Sequence, residues 1–261
     1  MTGARSRTDA SGPIRWQTFG AGEPVTVFAH GLGSSIHQTR PFASGVRGQR
    51  VFFHFRAHGG SPAPPGPWSY ADLAEELRSV ADGTAATRAL GVSMGAGALC
   101  RLLTEDPTRF ERVVLALPAA LDRPHPVGEV ERYHALARLV EQGDRAAVAA
   151  LVALQPAGVR ARSDVIDWAL EQISDWRGSA VPLALRQVPG MVPVPDRRQL
   201  AAVTATTLVI AQRGDPAHPV SVAEEIAQVI PGSRLEILDD GGVLWAHRAK
   251  LRSLVGEFLG G

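Results

Sequence analysis

Six short, almost wholly apolar runs constrain the fold of this chain more than any other feature. They are Val25–Ala29, Val51–Phe55, Arg88–Val92, Val113–Leu117, Leu208–Ala211 and Leu235–Leu238. Runs of this length without polar alternation suit strands buried on both faces, as in a parallel sheet. Ile14–Phe19, followed by a Gly/Glu/Pro turn, reads as a further strand ahead of them. Stretches of helical spacing lie between the runs. Tyr70–Ala81 places Leu73, Leu77 and Val80 four and three residues apart, with Ser69 as N-cap and Asp72 three residues on. Ala96–Leu103, Val220–Val229 and His247–Leu259 are read as helices as well. Alternating strands and helices predict an α/β fold, a doubly wound and mostly parallel sheet.

One segment breaks the alternation. Between Asp122 and Pro195 the sequence offers helix-like stretches at Val130–Gln142, Arg145–Leu154 and Val165–Ile173, then a run punctuated by Pro182, Pro189, Pro193 and Pro195. We read residues 122–195 as a small helical lid inserted into a core formed by residues 1–121 and 196–261.

Composition narrows the partners. The net charge is +1 over 261 residues, which argues against nucleic acid or an anionic membrane as the main partner. No apolar stretch approaches the roughly 18–20 residues of a membrane span. Met1–Gly12 has no apolar h-region and does not read as a signal peptide. Cys100 is the only cysteine, so no internal disulfide forms and a reducing, cytoplasmic setting is expected. No His/Cys cluster with metal-ligand spacing is present, and no cofactor is expected. The oligomeric state is left open.

The chemistry is carried by Gly91-Val92-Ser93-Met94-Gly95, a G-x-S-x-G placed after a buried strand and before a helix. The sharp strand-to-helix turn leaves no room for side chains beside the serine, hence the glycines. It holds the hydroxyl at the carboxyl edge of the sheet, over a helix N-terminus that favours developing negative charge. His30-Gly31-Leu32-Gly33 follows the strand Val25–Ala29. The N–H of Leu32 from this loop and that of Met94 make an expected oxyanion hole. His30 itself reads as a brace for the loop.

On three motifs the chain resembles the α/β-hydrolase family from Ile14 to Leu259: His30-Gly31-Leu32-Gly33, the turn around Ser93, and Gly214-Asp215-Pro216-Ala217-His218-Pro219. A fourth stretch, His54-Phe55-Arg56-Ala57-His58-Gly59-Gly60-Ser61, is similar to the family's D-x-R-G-x-G-x-S, with His54 for Asp and Ala57 for Gly. The resemblance implies a serine, acid, histidine order along the chain. Asp215, in the turn after the strand Thr207–Ala211, is then the expected acid. The family's histidine lies about five residues past the final strand, and there this chain has Val243, which takes no proton. His247, one helical turn later, is the expected base. His218, on the acid's own loop, is its competitor. His37, His125 and His134 read as surface or lid residues, and His54 and His58 as wall residues near the sheet edge.

Trp168, Trp176, Leu170, Ile173, Met191 and Tyr133 give the insertion an apolar character. They suit a small hydrophobic acyl substrate, or they simply pack the insertion onto the core. The expected activity is a serine hydrolase cleaving a small hydrophobic ester or thioester through an acyl-enzyme. A C–C hydrolase, an acyltransferase or a cyclase or lyase of secondary metabolism on the same fold stays open. So does a non-catalytic binding protein.

Overall fold

In a computed structural model, residues 3–9 and 12–261 are described, with side chains from Ile14 onward. The strands are β1 (Gly3–Asp9), β2 (Gly12–Phe19), β3 (Val25–Ala29), β4 (Gln49–Phe53), β5 (Arg88–Val92), β6 (Arg112–Ala116), β7 (Thr206–Gln212) and β8 (Arg234–Leu238). They form one sheet in the order β1-β2-β4-β3-β5-β6-β7-β8. β1 and β2 pair antiparallel, as do β2 and β4, and every later pair is parallel. The apolar runs become the parallel strands, buried in the middle of the sheet, whereas β8 at its edge is only partly buried. β1 is a strand that the sequence reading leaves unassigned. Its segment lacks an apolar run, and its pairing with β2 supplies the order instead. The expectation about a signal peptide concerned Met1–Gly12, and residues 1, 2, 10 and 11 of that stretch lie outside the described residues.

Side chains alternate along the strands between two cores. In β3, Val25, Val27 and Ala29 face one side and Phe28 the other. The first core is closed by α2 (Tyr70–Gly83), α3 (Met94–Glu105) and α8 (Val220–Val229), through residues such as Leu77, Leu99 and Ile226. The second is closed by the short α1 (Ile36–Thr39) and by α9 (Arg248–Gly260), through Ile36, Leu251 and Val255. The expected start of α2 is present as a reciprocal cap. The Ser69 hydroxyl accepts from the Asp72 N–H, and the Asp72 carboxylate accepts from the Ser69 N–H at 2.8 Å. Cys100 is buried inside α3, and burial pushes its thiol up to about 12. It packs as a small hydrophobe, as its place in the sequence implies.

Between β6 and β7 the chain inserts α4 (Val127–Glu141), α5 (Ala146–Ala153), α6 (Ser163–Trp176) and α7 (Val181–Gln187). These helices share a hydrophobic cluster of their own, with Leu136, Leu151, Ile173, Trp176 and Leu185 at its centre. Leu32, from the loop after β3, packs against that cluster. The insertion therefore sits on the carboxyl edge of the sheet.

Candidate active site

The turn between β5 and α3 carries Ser93 at φ 52°, ψ −110°, a region costly for any residue with a side chain. Its neighbours make that turn possible. A Cβ on Gly91 would lie 2.4 Å from the Gly95 carbonyl oxygen, and one on Gly95 would lie 2.3 Å from the Ala29 carbonyl oxygen. Strand, turn and helix thus approach one another closer than any side chain permits. The Ser93 N–H is held by the Ala116 carbonyl of β6 at 2.9 Å.

Asp215 and His218 come to Ser93 from the turn between β7 and α8. Asp215 Oδ1 accepts the Ala217 N–H at 3.0 Å, which folds the chain back on itself within three residues. That fold places His218 Nδ1 2.9 Å from Asp215 Oδ2 and His218 Nε2 2.9 Å from Ser93 Oγ. With Nδ1–H donating to the carboxylate, Nε2 is left bare to accept the serine O–H. Burial opposes the charge on Asp215. The His218 imidazole and the N–H groups of Ala217 and His218 outweigh it and hold the carboxyl below its ordinary value.

His247, the expected base, is not brought to Ser93. Residues Gly242–Ala246 form a π-helical turn that points Val243, Leu244 and Trp245 at the cavity. The turn carries His247 past the cavity, so that its Nε2 lies 2.8 Å from the Asp239 carbonyl oxygen and ties off the end of the loop. The compensation that would have brought His247 inward does not occur, because the Asp215 turn already fills the place beside Ser93 with His218. The signal for His218 was in the sequence: an Asp-Pro-Ala-His turn puts acid and imidazole within local reach.

Leu32 and Met94 stand where the sequence reading puts them, on the loop after β3 and on the first residue of α3. A Cβ on Gly31 would lie 3.4 Å from Ser93 Cβ, so the loop abuts the serine. Among the described residues, no protein acceptor takes the Leu32 or the Met94 N–H. The orphan donors of a helix start explain the second.

Three histidines hold this loop, and the sequence reading had only His30 in that part. His58 Nδ1–H donates to the Arg56 carbonyl at 2.8 Å, leaving Nε2 to accept the Gly33 N–H at 2.9 Å. His54 Nε2 accepts the Ile36 N–H at 3.2 Å. His30 Nδ1–H donates to the Gly31 carbonyl, and its Nε2 accepts the Phe55 N–H at 3.0 Å. Gly33 is further pinned by the insertion, since Trp176 Nε1 donates to its carbonyl at 2.8 Å. At φ +72°, with the Trp176 ring 2.4 Å from where a Cβ would sit, only glycine fits there.

Each of these rings must be neutral, because a protonated Nε2 would face an N–H donor. Burial lowers the pKa of His54 and His58 to about 4 and that of His30 well below its ordinary value. Between pH 6.5 and about 4 the unfolded chain therefore holds protons that the folded chain does not, and stability falls as pH falls through that window. His58 alone accounts for about 3 kcal/mol of the loss. Denaturant unfolding as a function of pH should show uptake of about two to three protons on unfolding across this range. A flat stability curve between pH 6.5 and 4.5 would contradict the neutral-histidine lock.

Ser93 and His218 open on a cavity of ≈ 640 Å³ between the sheet edge and the insertion. Trp168, Trp176 and Tyr133 line it, as does His37, which the sequence reading placed at the surface or lid. Ile173 packs inside the insertion, Leu170 is half exposed and Met191 packs against the core, so these three are not part of the wall. His125 pairs with Glu129 and His134 Nε2 with the Arg186 carbonyl, both on the insertion and away from Ser93. Among the described residues no His, Cys, Asp and Glu cluster could hold a metal ion, and no helix is long and apolar enough to cross a membrane.

Comparison with known proteins agrees with this architecture. The chain is 25% identical over 234 residues to 3-oxoadipate enol-lactonase 2 of Acinetobacter baylyi, covering 87% of this chain and 85% of that protein. Among solved structures it is similar to the esterase EaEST from Exiguobacterium antarcticum, with a TM-score of 0.80 at 20% identity over 97% of this chain and 98% of that one. It is equally similar in fold to the enol-lactonase from Burkholderia xenovorans LB400, with a TM-score of 0.79 at 21% identity over 98% and 99% of the two chains. The model of the alpha/beta hydrolase fold matches residues 24–244, and the chain belongs to that family of hydrolases.

Proposed function

We propose that the protein is a serine hydrolase that cleaves a small ester or lactone, with Ser93 as nucleophile, His218 as general base and Asp215 as the carboxylate that orients it. The observation that carries this reading is the chain of two 2.9 Å contacts from Asp215 through His218 to Ser93. Ser93 Oγ attacks the substrate carbonyl carbon, and its proton passes to His218 Nε2. Negative charge collects on the carbonyl oxygen, where the N–H groups of Leu32 and Met94 receive it. The C–O bond then breaks, and His218 returns the proton to the leaving oxygen. In a second round water takes the place of the serine, gives its proton to His218 and releases the acid, and Ser93 is restored.

The similarity to an enol-lactonase supports a cyclic or activated ester. In a lactone the leaving oxygen stays tethered to the acyl-enzyme. The helices α4–α7 act as a lid over the cavity that holds the acyl group, and the cavity stays open enough for the water of the second round. The cytoplasmic location read from the single cysteine goes with this proposal. The test is labelling with a fluorophosphonate. The wild-type protein should be labelled at Ser93 and lose turnover of p-nitrophenyl acetate, and Ser93→Ala should show neither labelling nor turnover. Undiminished turnover by Ser93→Ala would overturn the proposal.

A further inference from the structure

The wall of the cavity contributed by α6 has a chemistry that the hydrolytic machinery does not use. Asp164, Asp167, Trp168, Glu171 and Gln172 line the cavity from one face of that helix, at the three- and four-residue spacings that bring side chains together. Asp164 is paired with Arg162. Asp167 and Glu171 have no ion-pair partner among the described residues. Gln172 is 4% exposed, yet its amide makes no hydrogen bond to another described residue, and its polar atoms are not among those sealed from the cavity.

A second amide lies on the sheet side of the same cavity. Gln212, at the end of β7, is 1% exposed. Its NH₂ is turned to the Arg213 carbonyl at 3.4 Å, which leaves Oε1 buried without a partner. Buried amides are almost always hydrogen-bonded, and an unmet one is destabilising. A sealed acceptor without a partner on Gln212 and an unpartnered Gln172 amide open to the same cavity, beside the carboxylates of α6, point to a ligand that completes them. Arg248, at the start of α9, lines the cavity from another side, and its Nε donates to the Leu244 carbonyl at 2.5 Å.

We infer that the α6 wall is a subsite for a hydrogen-bond-donating group of the substrate, a hydroxyl or an ammonium remote from the scissile carbonyl, with Gln172 as the residue that receives it. The inference rests on the reading of Ser93 as nucleophile for its placement relative to the scissile bond. Gln172 accepts the donor through its amide oxygen, Asp167 and Glu171 favour neutral or positive groups over carboxylates, and a small movement of Gln212 offers a second acceptor. This narrows the hydrophobic acyl substrate expected from the aromatic residues of the insertion. The carbon chain contacts Trp168, Trp176 and Tyr133, and its far end is polar.

The experiment is a matched panel of p-nitrophenyl esters of six-carbon acids: hexanoate, 6-hydroxyhexanoate, 6-aminohexanoate and the adipate monoester. The hydroxy or the amino ester should exceed hexanoate in kcat/KM by at least about tenfold, the worth of one hydrogen bond, and the adipate monoester should be poorest. Gln172→Leu should cut that advantage to within about threefold. Asp167→Asn combined with Glu171→Gln separates the two sources: it erodes preference for the amino ester and leaves preference for the hydroxy ester. Hexanoate or the adipate monoester as the best substrate would overturn the inference, as would an advantage that survives Gln172→Leu. The same ranking is read without turnover by calorimetry on Ser93→Ala with hexanamide, 6-hydroxyhexanamide, 6-aminohexanamide and adipic acid monoamide. A missing donor preference there overturns the subsite, whereas missing fluorophosphonate labelling overturns the nucleophile reading alone.

Discussion

His218→Ala is expected to lower kcat for a p-nitrophenyl ester by at least about a hundredfold, while His247→Ala leaves it within about threefold. The imidazole of His218 is the group within hydrogen-bond distance of the serine, at 2.9 Å, and it is oriented by Asp215 at the same distance. Removing it takes away both acceptance of the serine proton and its return to the leaving group. Removal of a general base costs on the order of 10²–10⁴ in rate, and more where the residues act as one unit. His247 instead ties a turn through the Asp239 carbonyl. Its loss should show in thermal stability rather than in kcat. Steady-state kinetics on the two variants, with circular dichroism to confirm folding, decide the matter. Near-normal turnover by His218→Ala with loss in His247→Ala would return the base to the position that the sequence favoured.

Glu76→Ala is expected to destabilise the protein by about 3–5 kcal/mol, the range for removing one partner of a buried ion pair. Arg56 and Glu76 are 5% and 1% exposed, and Arg56 Nε donates to Glu76 Oε1 at 2.6 Å. The other carboxylate oxygen accepts the Arg56 backbone N–H at 3.0 Å. Asp72 lies 3.5 Å from the same guanidinium, nearer the surface, and does not replace the buried acceptor of the backbone N–H. Glu76→Gln keeps an acceptor of the same shape and should recover part of the loss. Denaturant unfolding of the three proteins measures this, and a difference below about 1 kcal/mol between wild type and Glu76→Ala would refute it. The effect should reach the active site. The Arg56 carbonyl fixes the tautomer of His58, which holds the Gly33 N–H beside the expected oxyanion donor Leu32. Loosening at Glu76 should therefore lower kcat as well as stability.

Much of the fold was legible in the sequence because its signals are local. A short, almost wholly apolar run of four or five residues suits a buried strand, and the six such runs became the parallel part of the sheet. The Ser69–Asp72 pair announced the start of α2 for the same reason. Ser93 was legible because the turn that exposes it needs glycine at fixed offsets, a requirement that steric distances of 2.3–2.4 Å make explicit. β1 was missed because a strand without an apolar run acquires its order from its partner rather than from its own composition.

The base illustrates the opposite case. His218 and His247 both follow Asp215 in the chain, and both lie within a few residues of a turn at the sheet edge. Sequence alone therefore offered Ser93 and Asp215 as candidates and left two histidines in competition for the proposed base. The proposal of His218 rests on a contact across 125 residues between the β5–α3 turn and the β7–α8 turn. It depends on β6 lying between those strands, on an Asx turn closing over Ala217, and on a π-helical turn carrying His247 away. The amides of Gln172 and Gln212 are the same kind of fact. No local pattern marks a glutamine as unpartnered, because whether a buried polar group finds a partner is settled only when the rest of the chain has packed around it.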